Sequence, residues 1–445
     1  MKGILFPLCI GIFCHVLLWT TSQAIYSNVI DKFAWTLGLR RYVRSIVIHA
    51  GTTGTRLHLF NFYTTRSGKS IKLDKESNWE VVPPLHTFAS NPSGSVKSLQ
   101  ELMEKAKAAV PANEWSKTSI ILMATTGVSA LHQSQQKELL GVVKQFIMSS
   151  GFSAEEDCIT VLDGNDEGIL EWFTINLILG QFRTKTPVPA ISLQLGGITN
   201  EVAFVPDKKR NTITPTMFKY LTEIRAYYNI FEVYSRSYLN FGLNEARVQI
   251  LQHGRINGSL CISPLIDTVW SYGGRNVMVR GTWKTQYVDI SHNHIFSHTT
   301  SKYTSPIIDV YNCESVVRSV LAQLEKPPPL TQGDIYATAA FYHRILATDL
   351  VRIGLRGYGT ATIQDIKRFA RLKCQETTIE DPFICMDLIY MYVLFTDVYR
   401  IPEKRNIYFA NNLYGITTSW TLGAAFLSLQ NRILPRTKYE NAIHT

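Results

Sequence analysis

The sequence predicts an α/β protein built on mixed sheets and organised as two related lobes. Three observations carry this. Apolar, strand-like runs alternate with segments of helical period along most of the chain. One device occurs twice: a strand ending in a polar residue, a loop of glycines and hydroxyls, then a second strand. It reads IVIHAGTTGT at 46–55 and ISLQLGGITN at 191–200, about 145 residues apart. Finally, 445 residues can bury a large core and fill two domains.

The N-terminus begins with Lys2, an apolar run and small residues at Ser22 and Ala24, the pattern of a secretory signal over 1–24. Its alternative is a retained membrane anchor, since the run is near the lower length of a span. Either way the remainder faces a lumen or the exterior, where cysteines oxidise. Cys374 and Cys385 close a short loop, and Cys261 with Cys313 forms a second candidate pair. Cys158 is left over, with a buried structural role. Asn257 in NGS is a glycosylation sequon.

From 43 the pattern is strand, loop, strand. Residues 95–109 have helical spacing, with Val96, Leu99, Leu102 and Met103 on one face. KTSIILMATTG is a buried strand entering a small-residue turn, and QKELLGVVKQFI is a helix. CITVLDGNDEG is again strand into loop, ahead of an amphipathic helix, GILEWFTINLILGQF. The second glycine device follows. Two such loops facing one another across a cleft are a natural nucleotide seat.

The net charge of +10 suits an acidic ligand or a solvated basic surface. The clusters Arg40, Arg41, Arg44 and Lys208–Arg210 are short and lack interleaved aromatics, so no nucleic-acid partner is expected. SGKS at 67–70 ends like a phosphate loop, but Thr64 stands where the motif requires glycine. No dinucleotide, zinc-protease or serine-hydrolase motif occurs. Nothing in the sequence specifies an oligomer.

Phosphoanhydride hydrolysis needs backbone N–H groups and hydroxyls around the phosphates, a divalent metal, and a carboxylate to activate water. Glu167, in DGNDEG at the mouth of a helix beside Asp163 and Asp166, is the candidate base. The same position suits a carboxylate that only stabilises the helix terminus.

At this point the motifs resemble a family. GTTGTR at 51–56, ATTG at 124–127, LDGNDEGILEWFTINLILGQF, LQLGGITNEVAF and YSRSYLNFGLNEAR are similar to successive conserved regions of the apyrase, or ectonucleoside triphosphate diphosphohydrolase, family. Within it the soluble secretory-pathway nucleoside diphosphatases are most similar, and the likeness spans about 45–430. The resemblance implies an actin-like fold of two ribonuclease-H-type lobes, with the nucleotide and a Ca²⁺ or Mg²⁺ between them. Lobe I is expected over 45–170 with a return at about 405–432, and lobe II over 171–404. The family's base falls on Glu167 and its active-site threonine on Thr125. Phosphate contacts fall on Thr52, Thr53, Gly54, Thr55 and Arg56, and on Gly196, Gly197 and Thr199.

The departures cluster. The family's two metal-shell aspartates are replaced by His49 and Gln194, and an expected arginine by Ser129. Glu201 stands where the family has glutamine and could restore one charge. Hard divalent cations want anionic oxygen, which neither imidazole nor amide supplies. Two lost supporting groups would cost about 10²- to 10⁴-fold in metal affinity or activity. Two readings follow. One is a luminal hydrolase of nucleoside diphosphates such as UDP or GDP, impaired or altered in metal use. The other is an inactive paralogue that binds nucleotide or a regulatory partner.

Overall fold

A computed structural model describes residues 41–433, apart from 65–70, 185, 208–213, 228, 254–257, 291–298, 306 and 377–379. The 1–24 segment, Arg40, SGKS, Lys208–Arg210 and Asn257 lie outside the described residues. By internal contacts the chain divides into two units, one from the N-terminal side through Val161 with Ala425 onward, the other Leu162–Ala424.

The first unit holds a five-stranded mixed sheet of β1 (Arg41–Ala50), β2 (Thr55–Thr64), β3 (Ile71–Val81), β4 (Ser119–Ala124) and β5 (Ile159–Val161). Its order is β3-β2-β1-β4-β5, antiparallel on one side of β1 and parallel on the other. Helices α1 (Pro92–Ala109) and α2 (Gln133–Met148) supply the parallel crossovers. Strand alternation sends Ile46 and Ile48 into a core shared with Leu57, Leu59, Leu102 and Val143. In α1 the inward stripe is Ser95, Leu99, Leu102, Met103 and Ala106; Val96 is only half-buried. Cys158 is a buried free thiol.

The second unit carries a seven-stranded sheet. Its strands are β6 (Ile191–Leu195), β7 (Thr199–Phe204), β8 (Leu221–Ala226), β9 (Asn229–Leu239), β10 (Ile335–Ala339), β11 (Tyr358–Thr362) and β12 (Asn406–Ala410). They lie in the order β11-β12-β10-β6-β7-β9-β8. Helix α3 (Gly164–Ile178) is not amphipathic, contrary to the sequence expectation: residues 168–176 are all buried. An all-round apolar helix belongs inside a larger core, and Trp172 there packs on Phe182 and Phe231. Buried Asn176 ties the helix to the sheet, accepting from Ala190 N at 2.7 Å and donating to its carbonyl at 3.2 Å.

Disulfides join Cys261 to Cys313 and Cys374 to Cys385. The latter links a helix at Ile363–Gln375 to the next at Ile384–Val393. Among the described residues no helix is long and apolar enough to cross a membrane.

Candidate functional site

In the first unit the glycine loop closes on itself, Gly51 N donating to Gly54 O at 3.1 Å. Thr52 and Thr53 are exposed at its tip, whereas Gly51, Gly54 and Thr55 are buried. Gly54 is closely approached: a Cβ there would lie 2.4 Å from Glu80 Oε1 and 3.2 Å from the Val81 carbonyl. Glu80 is bound to Arg56 at 2.6 Å, so the arginine beside the loop already has a carboxylate. Thr55 serves the fold, its hydroxyl accepting from Leu85 N at 3.2 Å. Buried Thr125 donates its N–H to Ala50 O, bringing ATTG against the end of β1.

His49 faces Arg56 directly across the β1–β2 pair and His58 diagonally. Period-two alternation puts all three on one face. Burial, followed by these two neighbours, pushes the His49 imidazole down to about 3. At neutral pH the residue is an uncharged imidazole and supplies no positive charge opposite a phosphate. His86 is a residue that sequence reading did not find. It hydrogen-bonds the Gly51 backbone, and burial lowers its pKa; a Cβ on Gly127 would meet its Nδ1 at 2.7 Å.

In the second unit, Asp163 caps α3 by accepting from Asp166 N at 2.8 Å, and Glu167 sits in the first turn. The helix N-terminus can approach the sheet because it carries glycines. A Cβ on Gly164 would lie 2.2 Å from Ser237 Oγ, and one on Gly168 2.7 Å from Ser235 Oγ. Asn165 fastens the contact, its Oδ1 accepting from Ser237 N at 2.9 Å and its carbonyl from Ser235 Oγ at 2.7 Å. This packing brings Glu167 to Gln194, whose Nε2 lies 3.4 Å from Glu167 Oε1. Glu201 is opposite Gln194 on the neighbouring strand and therefore on the same face. The turn between those strands closes through Gly196 N to Thr199 O at 2.9 Å, and its carbonyls at 196–198 accept from residues 242–245.

Three glutamates thus collect in one desolvated region. Burial raises Glu167 to about 7, against opposing hydrogen bonds from Gln194 and Trp420. Burial raises Glu171 to about 8, against a hydroxyl hydrogen bond from Thr338 and with the Glu167 charge adding to the shift. Glu201 is driven well above the usual carboxylate range by burial and by Glu167, although Thr199 and Ser237 hydrogen-bond to it. Like charges this close cannot all be ionised. Gln194 therefore has a physical effect beyond a lost charge: a fourth carboxylate would raise the repulsion, whereas the amide N–H donates a hydrogen bond to Glu167. Glu171 was legible in principle, lying four residues after Glu167 on one helix face; Thr338, 167 positions from Glu171, was not.

These elevated acids make stability depend on pH. The folded state holds protons that the unfolded chain, near the ordinary glutamate value, has released. Stability is thus fully present below about 4.5 and falls as pH rises through about 8. Urea midpoints measured from pH 5 to 8.5 should decline, and Glu171→Gln should flatten the decline; an unchanged slope would count against a protonated Glu171.

A family model described as GDA1/CD39 (nucleoside phosphatase) matches residues 40–441. The chain belongs to the GDA1/CD39 family. The human nucleoside diphosphate phosphatase ENTPD5 is 30% identical over 396 residues, which cover 87% of each chain. Human ectonucleoside triphosphate diphosphohydrolase 6 is 28% identical over 448 residues, 94% of this chain and 87% of its own. A nucleoside triphosphate hydrolase structure from Neospora caninum superposes with a TM-score of 0.60, covering 93% of this chain and 97% of that one at 12% identity. That likeness shows the fold, which is actin-like with mixed sheets.

GDA1/CD39 membership sharpens the metal question, since the resemblance implied Ca²⁺ or Mg²⁺. Among the described residues no group of three or more His, Cys, Asp or Glu could hold a metal ion. Gln194 Oε1 and Glu201 Oε2 are buried without a hydrogen-bond partner, so oxygen atoms are available. One is a neutral amide and the other belongs to a carboxyl that already accepts from the Ser237 hydroxyl. At Gln194 a neutral amide supplies no anionic oxygen for a hard cation.

Proposed function

We propose that the protein is a nucleoside-diphosphate phosphatase, releasing phosphate from substrates such as UDP or GDP, with metal use altered from that of its relatives. The observation that carries this reading is Glu167: a half-buried carboxyl in the first turn of a helix, raised to about 7. A base that must be free at neutral pH yet strong enough to take a proton from water needs a pKa there. Glu167 would accept the proton of the attacking water, and Gln194 would hold the carboxyl by its amide N–H. Thr125 and the exposed Thr52 and Thr53 would supply hydroxyls, Gly54 the close backbone approach, and Gly196, Gly197 and Thr199 the second glycine turn. Thr55 and Arg56 would act indirectly, through Leu85 and Glu80.

Lobe boundaries near 170 and 405, and residence in the secretory lumen, belong to the same proposal. Two disulfides support the lumen, because such bonds persist in oxidising compartments. A second reading, a binding paralogue without turnover, is favoured by neutral His49 and by Gln194.

Phosphate release from UDP and GDP, with calorimetric nucleotide binding in parallel, decides between them. Release above background supports the hydrolase; binding without release supports the paralogue; neither outcome would leave both without support. The double variant His49→Asp with Gln194→Asp is expected to raise turnover dependent on Ca²⁺ or Mg²⁺ by about 10-fold or more, from the usual cost of a missing supporting ligand. Unchanged cation dependence would remove the explanation offered for the two substitutions.

A further inference from the structure

Three adjacent strands at one side of the seven-stranded sheet each place a tyrosine on the same face. Tyr336 on β10 lies opposite Tyr408 on β12, and Tyr358 on β11 pairs with Ala410, one diagonal step away. The Tyr336 and Tyr408 rings stack at 5.0 Å, and Tyr358 meets Tyr408 edge-on at 5.2 Å. Tyr336 is almost wholly buried, so part of this cluster is core. The remainder opens into a cavity of about 750 Å³, within the range of small-molecule sites. It adjoins Leu179 just beyond the C-terminal end of α3. Glu167 is at the other end, twelve residues or roughly 18 Å along the helix.

The lining is cationic, with Arg356 and Arg405 against one carboxylate, Asp334. Arg405 is anchored by donating to the carbonyls of Leu330 and Gly333, and makes no salt bridge among the described residues. Its charge is therefore held in place, with Asp334 the one carboxylate acting on it from the lining. The rim is unusual in its backbone. Tyr414 occupies the left-handed region at φ +53°, beside Gly415 at φ +81°, in the hairpin joining Asn412–Leu413 to Ile416–Thr417. A bulky residue is disfavoured there, and Asn or Gly is usual. Packing does not explain the choice, since the Tyr414 side chain is 53% exposed. Its N–H donates to Arg356 O at 2.9 Å, which holds ring and arginine at one edge of the cavity. Strained residues of this kind concentrate at binding sites.

We propose that this cavity is a second ligand site, taking an aromatic ring that bears an anionic group. The tyrosines offer ring faces and edges, and the two guanidiniums offer charge-assisted hydrogen bonds to the anion. The site is separate from the Glu167 cluster and does not depend on the hydrolase reading.

The test is titration calorimetry of the full chain with phenyl phosphate, and separately with phenol and inorganic phosphate. Phenyl phosphate is expected to bind saturably and at least about tenfold more tightly than either fragment, because one charged hydrogen bond alone is worth about that factor. Arg356→Gln and Tyr414→Gly should each weaken binding by about tenfold. Glycine accepts the turn's backbone without strain, so Tyr414→Gly keeps the fold and decides the matter even where the arginine variant is unstable. No saturable binding, phosphate binding as tightly as phenyl phosphate, or affinity indifferent to both rim variants would each overturn the proposal.

Discussion

Glu167→Gln is expected to lower phosphate release from UDP or GDP by about 10²- to 10⁴-fold, the usual contribution of a positioned general base. The substitution keeps the side-chain shape and an oxygen for the Gln194 amide, 3.4 Å away in the native protein. Its effect should therefore fall on turnover, with nucleotide affinity and unfolding midpoint little changed. The native pH profile supplies a second readout. With the carboxyl raised to about 7, its base form is depleted below that value, so turnover should climb as pH rises through about 7 and level off above. A profile flat from pH 5 to 8, or a Gln variant as active as the native chain, would falsify the assignment of Glu167 as base. Glu171 and Glu201 in the same region carry raised pKa values as well.

The largest loss of stability is expected from Asp387→Ala. Asp387 is fully buried and accepts from Arg247 twice, at 2.9 and 2.5 Å. Arg344 Nε lies 2.7 Å from the same carboxylate and its Nη2 2.6 Å from Asp381. The Arg247 guanidinium also lies over the Phe383 ring at 4.4 Å. Removing the central carboxylate leaves two guanidiniums largely buried with too little negative charge, and truncating one partner of such a pair costs about 3–5 kcal/mol. The urea midpoint should drop accordingly in chemical denaturation. Removing Lys105 from its exposed pair with Glu101 should cost less than about 1 kcal/mol. A loss at Asp387 no larger than at Lys105 would show that the buried network contributes little.

Much of this was readable from the chain. The strand–glycine loop–strand devices formed where expected, at β1–β2 and β6–β7, because alternation and small-residue turns are local properties. Both cysteine pairs appear as disulfides. What failed was the character of α3: its apolar residues surround the helix, and a periodicity argument cannot tell how many neighbours will cover it. The ion pair of Arg56 with Glu80 is likewise invisible in sequence, since register across β2 and β3 brings those two side chains together.

The sequence by itself determined the alternation of elements, the glycine turns and the two exchanged positions, His49 and Gln194. It could also place Glu167 and Glu171 on one helix face. Only the tertiary structure decided the protonation state of those residues. His49 is neutral because strand pairing buries it beside Arg56 and His58. The glutamates are raised because α3 packs onto β7 and β9 through Gly164 and Gly168. Desolvation and charge coupling depend on distances between residues far apart in the chain, and no local pattern encodes them.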